Sequence, residues 1–240
     1  MNTNNIKTIF SKELKSYFNS PVAYIVMIVF MVISGFLFTM NFFQVNIASM
    51  REFFGSFFIQ LVLFVVFIPA ITMRSFSEEK KQGTLELLLT KPITDMELIL
   101  GKYLAALTLI VITLSPTVLY FIIIKMIGPI AFWPFVTSLL GYILMSAFFI
   151  GVGVFVSSIT ENQIIAFIVA VLICLFFFLL GKLLIVFPPS VVSIFEYITT
   201  DYHLANISRG VIDSRVLIYY FSMIFLSLFL TKVSLESRKW

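Results

Sequence analysis

The chain has 240 residues, of which 60% are hydrophobic and only 12% charged, with a mean hydropathy of +1.09. Soluble domains carry about half apolar and about a quarter charged residues, so this composition, with its 29 phenylalanines, reads as an integral membrane protein. The single cysteine, Cys174, excludes an internal disulfide, the single histidine, His203, excludes a His-rich metal site, and the net charge of +4 is assigned to loop lysines rather than to nucleic-acid binding.

Residues 6–18 place Ile6, Ile9, Phe10, Leu14, Tyr17 and Phe18 at helical spacing, with Lys7, Lys12 and Lys15 between them. This pattern predicts an amphipathic helix lying in the membrane interface, its lysines near anionic headgroups. Ser20-Pro21 then reads as an N-cap followed by proline at the first helical position, opening a first span over 22–43. Signal-peptide cores have only about 7–15 apolar residues, so this longer segment is expected to stay in the mature protein. A second span is expected over 53–73, kinked at Pro69.

The next stretch carries the most information. Arg74-Ser75-Phe76-Ser77-Glu78-Glu79-Lys80-Lys81-Gln82 is highly charged and ends at Gly83; Thr84-Leu85-Glu86-Leu87-Leu88-Leu89-Thr90 is apolar and closes at Lys91-Pro92. Seven residues are too few to cross a bilayer and too apolar for a solvated loop, so Gly83 and Pro92 delimit a separate helix of about two turns over 84–90. Its leucines either pack on this chain's own helix ends or dock into a partner's groove, and the pattern supports both equally.

Thr94-Asp95-Met96-Glu97 forms a capping-box signal, so the third helix should begin near Thr94 and cross the membrane over 103–124 with a kink at Pro116. A fourth span is read over 135–156, where Gly141, Ser146, Gly151 and Gly153 offer small-residue spacing for close helix packing. Pro134 and Asn162 are weaker start signals for the fourth span and for the fifth, over 163–187. Pro188-Pro189 ends the fifth; residues 191–198 are read as a short apolar helix and 201–214 as polar, so 188–214 forms a re-entrant or interface-lying region. His203 has no second ligand candidate nearby in sequence and is read as structural. The sixth span covers 216–231.

About 20 apolar helical residues cross a hydrocarbon core of about 30 Å, and open strands would leave unpaired backbone groups in lipid. The expected fold is therefore all-α and polytopic, a single membrane domain over 1–240. Eleven Lys and Arg fall on the side holding both termini and the 74–102 segment, against five on the other, which predicts cytoplasmic termini in an inner membrane. Lys125 and Lys182 lie at span ends, where their stems can snorkel. No chain of intramembrane acids or repeat between halves favours a stand-alone secondary carrier, which is kept as an alternative. No paired carboxylates, Ser/His/Asp set or metal spacing points to an enzyme, and no phosphate-binding loop of the G-x-x-x-x-G-K-[ST] type occurs.

The string over 67–92 closely resembles permease subunits of ABC-2 type transporters, and within them the GldF-like permeases associated with gliding motility. Ser157-Ser158-Ile159-Thr160-Glu161-Asn162-Gln163 and Ser208-Arg209-Gly210-Val211-Ile212-Asp213-Ser214-Arg215 agree with it. The resemblance implies a connecting helix at 6–18, six transmembrane helices, a cytoplasmic coupling helix at 84–90 and short outer helices near 191–198. It also implies two paired permease copies, the same chain twice or two related chains, each resting on a separate ABC ATPase that carries ATP and magnesium. This chain would hold no cofactor of its own. GldF-like systems add an auxiliary membrane protein with an extracytoplasmic domain. On this resemblance the ATPase docks on Glu78, Glu79, Gly83, Thr84, Leu85, Glu86, Leu87, Leu88 and Leu89. The leucines would be its apolar anchor and the charged residues its rim. The output would be export or extracytoplasmic work; a non-transporting subunit that only transmits force is the closest alternative.

Overall fold

The computed structural model describes residues 2–40, 50–85, 93–128, 130–184, 188, 192 and 195–237. Every regular element among them is helical. Six helical stretches are long and apolar enough to cross a membrane: Pro21–Thr39, Phe57–Lys81, Asp95–Ile127, Phe132–Ile159, Gln163–Leu183 and Ser214–Glu236. The chain is an all-α, multi-pass membrane protein. A 19-residue helix such as Pro21–Thr39 rises about 28 Å, close to the thickness of a hydrocarbon core.

Phe132–Ile159, the fourth span, is the centre of the bundle. Its most apolar stretch is 78% buried, against 28% for the first and sixth spans and 22% for the fifth. The peripheral spans bury one stripe each. In the fifth, Ala166, Ala170, Cys174 and Phe178 recur every fourth residue and face inward, while Ile165, Ile168, Leu172 and Phe176 remain exposed. In a bilayer those exposed chains meet lipid rather than water. The small residues of the fourth span serve this packing within the chain: a Cβ at Gly153 would fall on Thr72 of the second span, and one at Gly151 on Ser227 of the sixth.

Two spans are irregular, each at a proline. Pro69 supplies no N–H, and the ladder before it widens to a π-helix over Leu61–Phe67, with the Ile68 N–H donating to the Leu63 carbonyl. In the third span, Asp95–Leu114 breaks at Ser115-Pro116 before Thr117–Ile127. The carbonyls freed there are taken by hydroxyls: Ser115 Oγ donates to Ile112 O at 2.7 Å, and Thr117 Oγ1 to Leu114 O at 2.7 Å.

The helix Thr3–Asn19 precedes the first span and lies against the first half of the third, burying Ile9. At the other end of the bundle, the short helix expected over 191–198 falls partly outside the described residues. A 3-10 turn covers Glu196–Ile198, and a helix follows at Thr200–Ile207, inside the stretch read as polar. Thr199 caps it, accepting from the Tyr202 N–H, and His203, Leu204 and Ile207 supply its buried face. His203 is 4% exposed and stacks on Tyr219 with ring centroids 3.9 Å apart. Its Nε2 lies 2.9 Å from the Tyr197 carbonyl, which only accepts, so Nε2 carries the proton and Nδ1 has no partner among the described residues. Burial pushes the imidazole below its usual pKa, opposed by the Tyr197 carbonyl and by Asp213. Tyr202 and Tyr220 complete its surroundings.

Two outcomes follow from this packing. Gly153→Val forces a side chain onto Thr72 and should destabilise the detergent-solubilised protein by about 1–3 kcal/mol, read as a lowered unfolding midpoint. His203 is held neutral in the fold, so its contribution is complete above about pH 6.5 and is lost as the pH falls below it. A thermal-unfolding series from pH 8 to 5 should show a decline that His203→Phe flattens.

Candidate functional site

The candidate site is the 73–102 segment, of which residues 73–85 and 93–102 are described. Within the Phe57–Lys81 stretch the helix Ile68–Thr72 ends, and after a turn at 73–76 the chain forms the short helix Ser77–Lys81. Glu78 and Glu79 occupy its first turn and Lys80 and Lys81 its last, which matches the helix dipole. Ser157, at the end of the fourth span, fixes this turn: its Oγ accepts from the N–H groups of Phe76 at 2.9 Å and Ser77 at 3.1 Å and donates to Met73 O at 3.0 Å. Lys80 Nζ donates to the Ser158 carbonyl. The helix stops at Gly83, whose φ of 68° lies in the left-handed region and whose N–H returns to Lys80 O at 3.1 Å.

Among the docking residues expected from sequence, Glu78 is half-buried and accepts weakly from Gln82 at 3.5 Å. Thr84 donates its hydroxyl to Glu79 O at 3.2 Å. Leu85 is 6% exposed and belongs to the chain's own hydrophobic core, so it packs inward. Glu86, Leu87, Leu88 and Leu89 lie outside the described residues. Glu79 also turns inward. Its Oε1 sits 2.8 Å from Lys102 Nζ, which lies 3.0 Å from Glu13 Oε1 of the N-terminal helix and over the Phe76 ring at 5.3 Å.

Lys102 is 2% exposed. By sequence it is one more cation of the 74–102 segment, and that pattern does not show its structural role. The available signal was its position: Leu98-Ile99-Leu100-Gly101 precede it, and a lysine following an apolar helical run is rarely buried unless paired. The start of the same helix is also tied down. Glu97 completes the capping box, taking the Thr94 N–H at 3.2 Å on Oε2, and its own N–H donates to Thr94 Oγ1 at 3.4 Å. Glu97 accepts in addition from Asn5 Nδ2 at 2.9 Å and from the Asn2 N–H. Two charged centres, Glu97 and Lys102, thus lock the N-terminal helix onto the third span, and Lys102 also captures the segment that enters 84–90.

Lys102→Met should destabilise the folded protein by about 3–5 kcal/mol, because it strands two largely buried carboxylates. Adding Glu13→Gln and Glu79→Gln should recover most of that loss, measured by thermal unfolding in detergent.

A family model described as ABC-2 family transporter protein matches residues 7–207, from the N-terminal helix to the end of Thr200–Ile207. Among curated proteins, none matches the chain.

Proposed function

The chain belongs to the ABC-2 transporter family, and we propose that it couples ATP hydrolysis on a separate ABC ATPase subunit to export or extracytoplasmic work. Membership makes it a membrane-domain, permease-type subunit, and such subunits in general work with an ABC ATPase. In this proposal ATP and magnesium stay on the partner, which docks on the 78–89 segment. Leu87, Leu88 and Leu89 form the apolar anchor, with Glu78 and Glu86 beside it. Leu85 and Glu79 act from the inside, holding the base of the segment to the core and to Lys102.

The observation that carries the reading is Lys102, which joins the segment before 84–90 to the N-terminal helix and to the third span. A push on the docked segment would reach all three elements together. The excess of eleven Lys and Arg over five supports cytoplasmic termini in an inner membrane, which puts the docking segment on the side where ATP is available. The 67–92 string supports a GldF-like subgroup, two permease copies, identical or related, and an auxiliary extracytoplasmic partner.

Leu88→Asp should abolish co-purification of the co-expressed ATPase while membrane insertion is unchanged. An intact complex carrying Leu88→Asp would overturn the docking assignment.

A further inference from the structure

We infer that a cavity beside Lys102 is a binding site for a headgroup that carries both a phosphate and a primary ammonium, supplied by a membrane phospholipid. The cavity measures about 500 Å³ and opens between the N-terminal helix, the end of the second span and the Ser77–Lys81 helix. Ligand pockets commonly fall in this size range.

Lys12, Arg74 and Lys102 face Glu13, Glu78 and Glu79 on its wall, but the charges are unevenly placed, and the inner cluster is not balanced. Lys102 faces two carboxylates, Glu13 and Glu79, and a single lysine leaves one negative charge uncompensated in a largely buried cluster. Glu79 Oε2 is buried and accepts no hydrogen bond among the described residues. Ser75, 5% exposed, lines the same cavity; the Tyr17 hydroxyl is nearby, yet Ser75 Oγ has no hydrogen bond of ordinary geometry. The buried carboxylate oxygen, unpartnered among the described residues, calls for a cationic group with N–H donors.

The rim asks for the opposite charge. Lys12 and Arg74 line the cavity, are exposed, and form no ion pair among the described residues. A phosphate is the anion that an arginine and a lysine bind best. Val22, Ala70 and Ile71, from the first two spans, add an apolar wall beside these groups. A polar pocket that continues into span surface suits a lipid, whose glycerol and acyl chains follow the spans. The apolar and lysine pattern of the N-terminal helix is that of a helix at headgroup depth, where such a molecule is present. The ammonium must be primary, because a trimethylammonium has no N–H to give to Glu79.

This site needs only a chain that spans a membrane, and it stands whether or not an ATPase docks on 78–89. The test is native mass spectrometry of the full-length chain purified from vesicles containing equal phosphatidylethanolamine and phosphatidylcholine with matched acyl chains. The ethanolamine lipid should be retained in preference, about tenfold or more. Glu79→Gln should remove that preference, whereas the exposed Arg74→Gln, which acts on the phosphate common to both lipids, should lower the retention of both and leave the preference in place. Soluble phosphoethanolamine should not displace the lipid at equal concentration; full displacement would keep the headgroup site but overturn its assignment to lipid. Equal retention of the two lipids, an unchanged preference in Glu79→Gln, or unchanged retention of both lipids in Arg74→Gln would overturn the site.

Discussion

A lysine with 2% exposure between two carboxylates holds one end of this molecule together. Removing a charge from water is costly, and the cost is recovered only where geometry and partners are good. Lys102 meets that condition by drawing one carboxylate from the N-terminal helix and one from the segment after the second span. Its demand for partners therefore acts as a constraint on placement: neither element can move away without stranding a charge. The Phe76 ring over the ammonium and the Ser157 hydroxyl against the Phe76 and Ser77 amides fix the same corner from the fourth span. Ionic contacts in the low dielectric near the membrane are stronger than on a wet surface, which is why so few of them suffice.

The opposite end is held differently. Lys182 meets Asp201 at 2.8 Å, but these side chains are 31% and 21% exposed, so solvent weakens the pair. The Thr200–Ile207 helix depends more on aromatic packing, with His203 stacked on Tyr219 and the Tyr220 hydroxyl donating to Thr200 O at 3.2 Å. One end thus rests on charge and the other on rings. At the second end, the buried His203 makes that packing sensitive to protonation as the pH falls.

The spans were legible because lipid leaves few options: long apolar runs must be helices, and their number and order follow from hydropathy. Local start signals were legible for a similar reason. Ser20, Thr94 and Asn162 cap helices in the structure with the expected side-chain bonds. Sequence periodicity did not show which polar residues would turn inward. Glu79 sits among Glu78, Lys80 and Lys81 and looks like one more solvated charge, yet it is the member that finds Lys102, 23 positions later. Pairings at that separation depend on how helices cross, and a one-dimensional pattern contains no such information. The helix at Thr200–Ile207 is hidden for the same reason: its four buried residues include a threonine and a histidine, and Leu204, Ile207 and His203 pack on Gly141 of the fourth span and Tyr219 of the sixth.

The two irregular spans flank the segment assigned to docking, and this bears on how a displacement would travel. The second span is widened to a π-helix over Leu61–Phe67, and the third is interrupted at Ser115-Pro116. Between each defect and the docking segment, the helices are bolted to the N-terminal helix and to the fourth span by Lys102, Glu97 and Ser157. Beyond the break, Thr117–Ile127 leaves Leu119, Ile122 and Ile123 facing outward, where lipid offers no fixed partners. A push at the docking segment would therefore move the bolted half as a body and bend the two spans at their prolines, where the regular hydrogen-bond ladder is already broken. Pro69 and Pro116 then have a mechanical meaning in the proposed coupling. They divide a stiff, ion-locked end from the lipid-facing segments beyond it.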